Sequence, residues 1–197
     1  MPKAMLAAVL GVALLGGAKT RADETPASFE GRSLSQWMTL LREVPKDPAH
    51  ASEDWRKAPW ALGKIGVPAL PDLITTLEDP NPRIRLRAIR PIVAMGKVAS
   101  DAAPGLAQCL KDEDPHVRQW AAVALGQIGP AAAGGGPALI ATLKDPEPAV
   151  RQASAAALGA IGTPEAIEPL QAAALDSNLA VQKAARLALQ KLQPTKP

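Results

Sequence analysis

The sequence predicts an all-α fold, a solenoid of about five two-helix units stacked in file. Three observations predict it. A 33-residue period runs through the chain: Asp79, Asp112 and Asp145 keep it, as do Arg85, Arg118 and Arg151, Pro71, Pro104 and Pro137, and Gly96, Gly129 and Gly162. Within each period, two apolar stretches of helical spacing flank a break at Asp79-Pro80, Asp114-Pro115 or Asp145-Pro146. Proline cannot continue one helix but suits the first turn of the next. Composition also points away from sheets. Tyr is absent, Phe occurs once, only 3% of residues are aromatic, and no run alternates with the two-residue period of a half-buried strand. A unit of ~33 residues buries too little surface to stand alone, so neighbours must supply the remaining core.

Residues 1–22 read as an export signal. Lys3 is followed by an uncharged run over residues 4–18, then by small residues that offer processing after Ala18 or after Ala22. That run is shorter than the ~20 residues a membrane span needs, and no cysteine follows it for lipid attachment. The expectation is an exported protein, periplasmic or extracellular, with no stable membrane anchor after cleavage. Residues 23–32 lack helical periodicity and are expected to be a disordered linker, and residues 194–197 a disordered tail.

The solenoid is expected over residues 33–193. Ser33 opens a helix with Gln36 placed as its capping-box partner, and Leu34, Trp37, Met38 and Leu41 share a face. The five units run 33–53/54–66, 67–80/83–96, 101–113/115–129, 136–145/148–162 and 163–176/178–193. First helices carry stripes such as Leu70, Leu73, Ile74 and Leu77, or Leu106, Cys109 and Leu110. Pro71, Pro104 and Pro137 belong in their first turns, where a missing N–H costs nothing. Second helices show Val117, Ala121, Ala124, Leu125 and Ile128 on one face, and Gly129 or Gly162 closes them. Pro91 is expected to kink its helix, and Pro59 to do likewise or to delay its helix start. Gly134, Gly135 and Gly136 are expected to be flexible and to shorten the first helix of unit four.

The stretch VRQWAAVALGQIG from Val117 recurs as VRQASAAALGAIG from Val150 and, diluted, as IRLRAIRPIVAMG from Ile84, DWRKAPWALGKIG from Asp54 and VQKAARLALQKL from Val181. The Asp-Pro break, the following Val-Arg and the Ala-Leu-Gly-x-Ile-Gly ending resemble HEAT repeats of the short, bacterial, phycobilin-lyase-like type. The resemblance covers about residues 54–193 and is diluted in units one, two and five; Gln182 stands where arginine is expected. It implies a right-handed superhelix with second helices lining the concave side, and a binding scaffold whose partner is another protein.

The formal charge is +3, but Lys3, Lys19 and Arg21 supply three of the 22 basic residues, and the rest balance the 19 acidic ones. A neutral chain lacks the excess that a nucleic-acid binder needs. One cysteine, Cys109, excludes an internal disulfide framework; on the inward stripe it reads as a small buried hydrophobe. His50 and His116 lack partners at ligand spacing, so no metal site is expected. Neither a catalytic set nor a phosphate loop stands out, and no cofactor is expected. The repeating Asp and Arg read as stacking contacts, each Asp serving its own turn and the Arg of a neighbouring repeat; the other reading is a charged ladder that binds a ligand. Arg83, Arg87 and Arg90 share a helical face. Trp120 matches Arg87 in the next unit, and Trp60 matches Arg90 in the previous one. Trp60, Arg83, Arg87, Arg90 and Trp120 form the candidate partner-binding patch, against the plainer reading of a solvated basic face with Trp packed between repeats. The expected function is a non-catalytic protein-binding scaffold. The alternative is a lyase-like enzyme or accessory subunit holding a tetrapyrrole-type ligand in the groove.

Overall fold

A computed structural model describes residues 27–193; the expected export signal and tail lie outside them. Ten α-helices in these residues form five consecutive pairs: α1 (Leu34–Arg42) with α2 (Glu53–Ile65), α3 (Leu70–Thr76) with α4 (Pro82–Met95), α5 (Ala103–Cys109) with α6 (Pro115–Ile128), α7 (Gly136–Thr142) with α8 (Pro148–Ile161), and α9 (Ile167–Ala173) with α10 (Leu179–Leu192). Each first helix packs on its own second helix, and second helices pack on one another in series. The core runs the length of the stack, from Trp37 and Leu41 through Leu73, Ile89, Leu106, Leu125 and Leu158 to Ala188. This is an α-solenoid.

Local rules set the helix ends. Ser33 and Gln36 close the expected capping box, and Asp114 and Asn178 cap α6 and α10 through their side chains. Gly66, Gly96 and Gly129 end second helices with φ of 58–74° and ψ near −130 to −140°, a region in practice open to glycine alone. Other glycines serve close approach. A Cβ on Gly63, Gly126 or Gly159 would stand 3.3, 3.1 or 2.7 Å from an alanine of the next second helix. In the Ala-Leu-Gly-x-Ile-Gly ending, the first glycine therefore admits the neighbour and the second turns the chain.

The Asp–Arg repeat is the stitching between units. Arg85 grips Asp112 through two hydrogen bonds of 2.6 Å. Arg118 grips Asp145 and Arg151 grips Asp176, each at 2.7 and 2.9 Å. The Nη1 of each arginine donates to two carbonyls of its own turn, such as those of Asp112 and Glu113 for Arg118. Each aspartate also accepts the backbone N–H two residues on. These side chains are only 7–13% exposed, so the pairs are shielded more than ordinary surface bridges. Gln182 keeps the donation within its turn, to the carbonyl of Asp176, without a forward grip on an aspartate.

Three expectations change. Residues 28–32 are not a structureless linker. Ser28–Phe29 pairs with Arg32–Ser33, and Glu30 and Gly31 turn with φ of 49° and 74°, the positive values of a tight hairpin turn. The hairpin covers the open side of the first unit: Phe29 sets its ring edge against Trp60 at 5.1 Å, and its carbonyl accepts the Trp37 indole N–H. Pro91 lies buried inside α4, which runs through it as one helix. Pro59 does not delay α2, which starts at Glu53 behind the cap of Ser52. Gly135 and Gly136 are buried because a Cβ there would press on Leu125 and Thr163, and α7 has the same seven residues as α3, α5 and α9.

The stitching has a pH signature. Burial raises the carboxyl of Asp145, but Arg118, the N–H of Glu147 and Arg151 outweigh it and hold it below the ordinary 3.8. Arg151 and the N–H of Asn178 hold Asp176 below that value against burial. A carboxyl depressed on folding contributes stability that is complete above its unfolded value and is lost as pH falls through its folded one. The D145N/D176N variant is therefore expected to melt below the wild type at pH 6–7, with the gap shrinking as pH falls from about 4 toward 2. Thermal melts followed by circular dichroism check this; a gap constant across that range contradicts it.

Candidate interaction cleft at the first repeat junction

The regular stitching stops between the first two units. Trp55 stands in the register position of Arg85, Arg118 and Arg151. Its indole N–H donates to the carbonyl of Glu43 at 2.8 Å, so it keeps the bond to its own turn and loses the reach to the next. Asp79 accepts the N–H of Asn81, and among the described residues no guanidinium bridges to it.

A second substitution makes this junction. Pro59 has no N–H, which frees the carbonyl of Trp55 one turn back. Arg87 of α4 takes that carbonyl at 2.7 Å, along with those of Leu41 at 2.9 Å and Leu40 at 3.2 Å at the end of α1. Its guanidinium also lies 3.8 Å from the centre of the Trp55 ring, a cation–π distance. Burial first, then the like charge of Arg90, bring the Arg87 guanidinium down to about 10, so it stays cationic at neutral pH. Arg87 thus clamps α1, α2 and α4 together.

Beside the clamp lies a cleft of about 400 Å³ between the early turns of α2 and α4, closed at one end by the loop after α1. Val44, Pro45, Trp55, Pro59, Ile84 and Leu86 give it apolar walls, and Arg56, Arg83, Arg87 and Arg90 give it charge against the single carboxylate of Glu43. Arg56 is held by the carbonyls of Ala49 and Ala51. Arg90 lies 5.6 Å from the Trp120 ring centre. Arg83 is exposed, and its side chain makes no hydrogen bond or ion pair with the described residues.

The sequence-derived patch is therefore divided. Arg83, Arg87 and Arg90 do meet at one cleft, and Trp120 adjoins it through Arg90. Arg87, however, spends its Nε and Nη2 donors on backbone carbonyls. Trp60, half exposed, sits outside the cleft against Phe29 and Lys64. Sequence reasoning missed Val44, Pro45, Trp55 and Pro59; the one available signal was Trp55 standing in the arginine column. Elsewhere Cys109 is buried beside the Leu77 carbonyl, and burial pushes its thiol up to about 11, too high for a nucleophile at neutral pH. Exposed His50 pairs with Asp47. Among the described residues, no group of three His, Cys, Asp or Glu side chains is placed to hold a metal, and no helix is long and apolar enough to cross a membrane.

Comparison with known proteins follows this architecture. A family model described as HEAT repeats matches residues 70–135 and 103–190. No curated protein matches the chain. Among solved structures, the complex of CpcE and CpcF of phycocyanin lyase from Nostoc sp. is similar, with a TM-score of 0.65 and 23% identity over 79% of this chain and 96% of that one. A designed armadillo repeat protein in complex with the peptide (KR)4 is similar with a TM-score of 0.63 and 21% identity, covering 81% of each chain. An engineered protein has a TM-score of 0.63 and 22% identity over 82% of this chain and 79% of that one. At these identities the likeness is one of fold.

The two kinds of arginine separate by mutation. R87K is expected to destabilise the fold by about 2–4 kcal/mol, since one ammonium cannot replace three carbonyl contacts. R83A and R90A are expected to change stability by less than about 0.5 kcal/mol. Urea unfolding of the three variants checks this, and equal losses at all three would contradict it.

Proposed function

The chain belongs to the HEAT-repeat family, and from that premise we propose that it is a non-catalytic scaffold that binds another protein along the face of its second helices. One observation carries the reading. Trp60, Arg90, Val123, Ala156 and Leu187 occupy the same register position on α2, α4, α6, α8 and α10, and Trp60, Arg90, Ala156 and Leu187 are exposed. Trp60 and Leu187 are each 50% exposed, although large apolar side chains favour burial. A column of accessible Trp, Arg and aliphatic side chains on consecutive rigid helices has the composition of an interaction surface. HEAT and armadillo repeats are typical of protein-interaction scaffolds, and the designed armadillo protein similar to this chain is in complex with a peptide.

The signal-like start of the sequence supports a place outside the cytosol, in the periplasm or beyond, with no membrane anchor after processing. On the same face α6 and α8 place Gln119, Val123, Gln152 and Ala156, and only α10 adds basic side chains, Lys183 and Lys191, which disfavours nucleic acid as the partner. The fold likeness to a phycocyanin lyase complex supports a second reading, in which the groove holds a tetrapyrrole-type ligand. The cleft is within the volume range of small-molecule sites.

Affinity capture from the native envelope fraction tests the proposal, comparing wild type with a W60A/L187A variant of unchanged helicity. The expected outcome is one protein retained by the wild type and reduced at least about tenfold with the variant, as loss of two exposed apolar anchors implies. Equal capture by both contradicts the assignment of the face. A purified native protein with visible absorbance and no protein partner favours the ligand-holding reading.

A further inference from the structure

We propose that the cleft between α2 and α4 takes an extended acidic peptide segment, seating one aliphatic side chain between carboxylates that pair with Arg83 and Arg90. This rests on the scaffold reading and supplies the chemistry of the partner. Three observations lead to it.

The first is charge. Four guanidinia face the cleft, against the carboxylate of Glu43. Arg87 and Arg56 are engaged with backbone carbonyls. Arg83 and Arg90, both exposed, remain on the rim with their donors open to a ligand. Elsewhere in this solenoid, the part-buried arginines Arg85, Arg118 and Arg151 each hold an aspartate of the next unit. At the first junction that link is absent: Trp55 stands in the arginine column and Asp79 keeps to its own turn, so the cleft arginines face Glu43 alone among carboxylates.

The second is spacing. Arg83 and Arg90 are seven residues apart on α4, so their Cα atoms lie about 10 Å apart along the helix axis. An extended chain covers that distance in about three residues at 3.3–3.6 Å each. Side chains of an extended chain alternate in direction, so acidic residues at i and i+4 flank an apolar residue at i+2 on one face, and the long arginine side chains spread to meet their separation of about 13 Å.

The third is the wall between the arginines. Pro59, Ile84, Leu86, Val44 and Pro45 offer apolar surface that a polyphosphate backbone would not use, whereas an aliphatic side chain would lose its water there. Pro59 and Pro45 also lack N–H groups, so the wall does not compete for the peptide's carbonyls. Along the same face α6 and α8 present Val123, Gln152 and Ala156, and basic charge returns only at Lys183 and Lys191 of α10, so the cleft arginines form a local site and not part of a continuous track for a long polyanion.

The test uses the full chain and a fluorescein-labelled nine-residue peptide, blocked at both ends, with two glutamates four residues apart and a leucine midway between them. Anisotropy titration is expected to show saturable one-to-one binding. Changing both glutamates to glutamine, or the leucine to serine, is expected to weaken it at least about tenfold, as is R83E/R90E in the protein; charge-assisted hydrogen bonds carry that much. Circular dichroism of R83E/R90E is expected to match the wild type, since both side chains are exposed. No binding, or binding equal in R83E/R90E, overturns the proposal. So does an oligothymidine that binds as tightly as the peptide, because the site would then be a general anion surface. If the envelope partner is still captured through Trp60 and Leu187 while the acidic peptide fails, the cleft assignment falls and the scaffold reading stands.

Discussion

A guanidinium that reaches in two directions at once holds this molecule together. Arg85, Arg118 and Arg151 each donate backward to carbonyls of their own turn and forward to an aspartate of the next unit. The aspartate in turn fixes the N–H two residues on, which shapes its turn to receive the following arginine. Each link sets the geometry of the next, as a one-dimensional stack requires. Arginine suits the role because its planar fork serves a carboxylate and leaves a further edge for carbonyls. Beneath the links, glycines such as Gly126 and Gly159 let second helices approach within methyl contact. The polar edge and the apolar spine thus impose the same spacing.

The two ends of the stack depart from this pattern differently. At the last unit Gln182 retains the backward bond and ends the chain of links. At the first, Trp55 retains the backward bond through its indole, and Pro59 opens a carbonyl that Arg87 then fills. The junction is held by a cation seated on an aromatic ring and bound to backbone, without the paired carboxylate used elsewhere. The hairpin of residues 28–33 seals the far side of the first unit with Phe29 on Trp60 and Arg32 paired with Asp54. Beside these substitutions Arg56 of α2 and Arg83, Arg87 and Arg90 of α4 gather at one cleft.

Most of the architecture was legible because repetition averages out local ambiguity. The helix pairs, the proline starts, the glycine ends and the stacking role of Asp112, Asp145 and their arginines all follow from spacing alone. The rest depends on residues that meet from distant parts of the chain. Arg87 reads as one more surface charge at helical spacing; only the carbonyl freed by Pro59, in the preceding second helix, makes it interior. The cleft is closed by Val44 and Pro45, whose loop carries no periodic signal. The hairpin is two residues a side, too short for alternation to show, and its one cue is Gly31 after Glu30. Gly135 and Gly136 read as flexible because an isolated glycine run carries no sign of the Leu125 and Thr163 side chains that crowd it.

A double-mutant cycle on Arg118 and Asp145, with R118M, D145N and the combined variant unfolded in urea, tests the stitching between units most directly. A coupling energy of about 1–3 kcal/mol, larger than exposed bridges supply, is the result predicted for a shielded pair that joins neighbouring repeats. A coupling below about 0.3 kcal/mol, with the single losses simply adding, would mean that the units are joined by apolar packing alone.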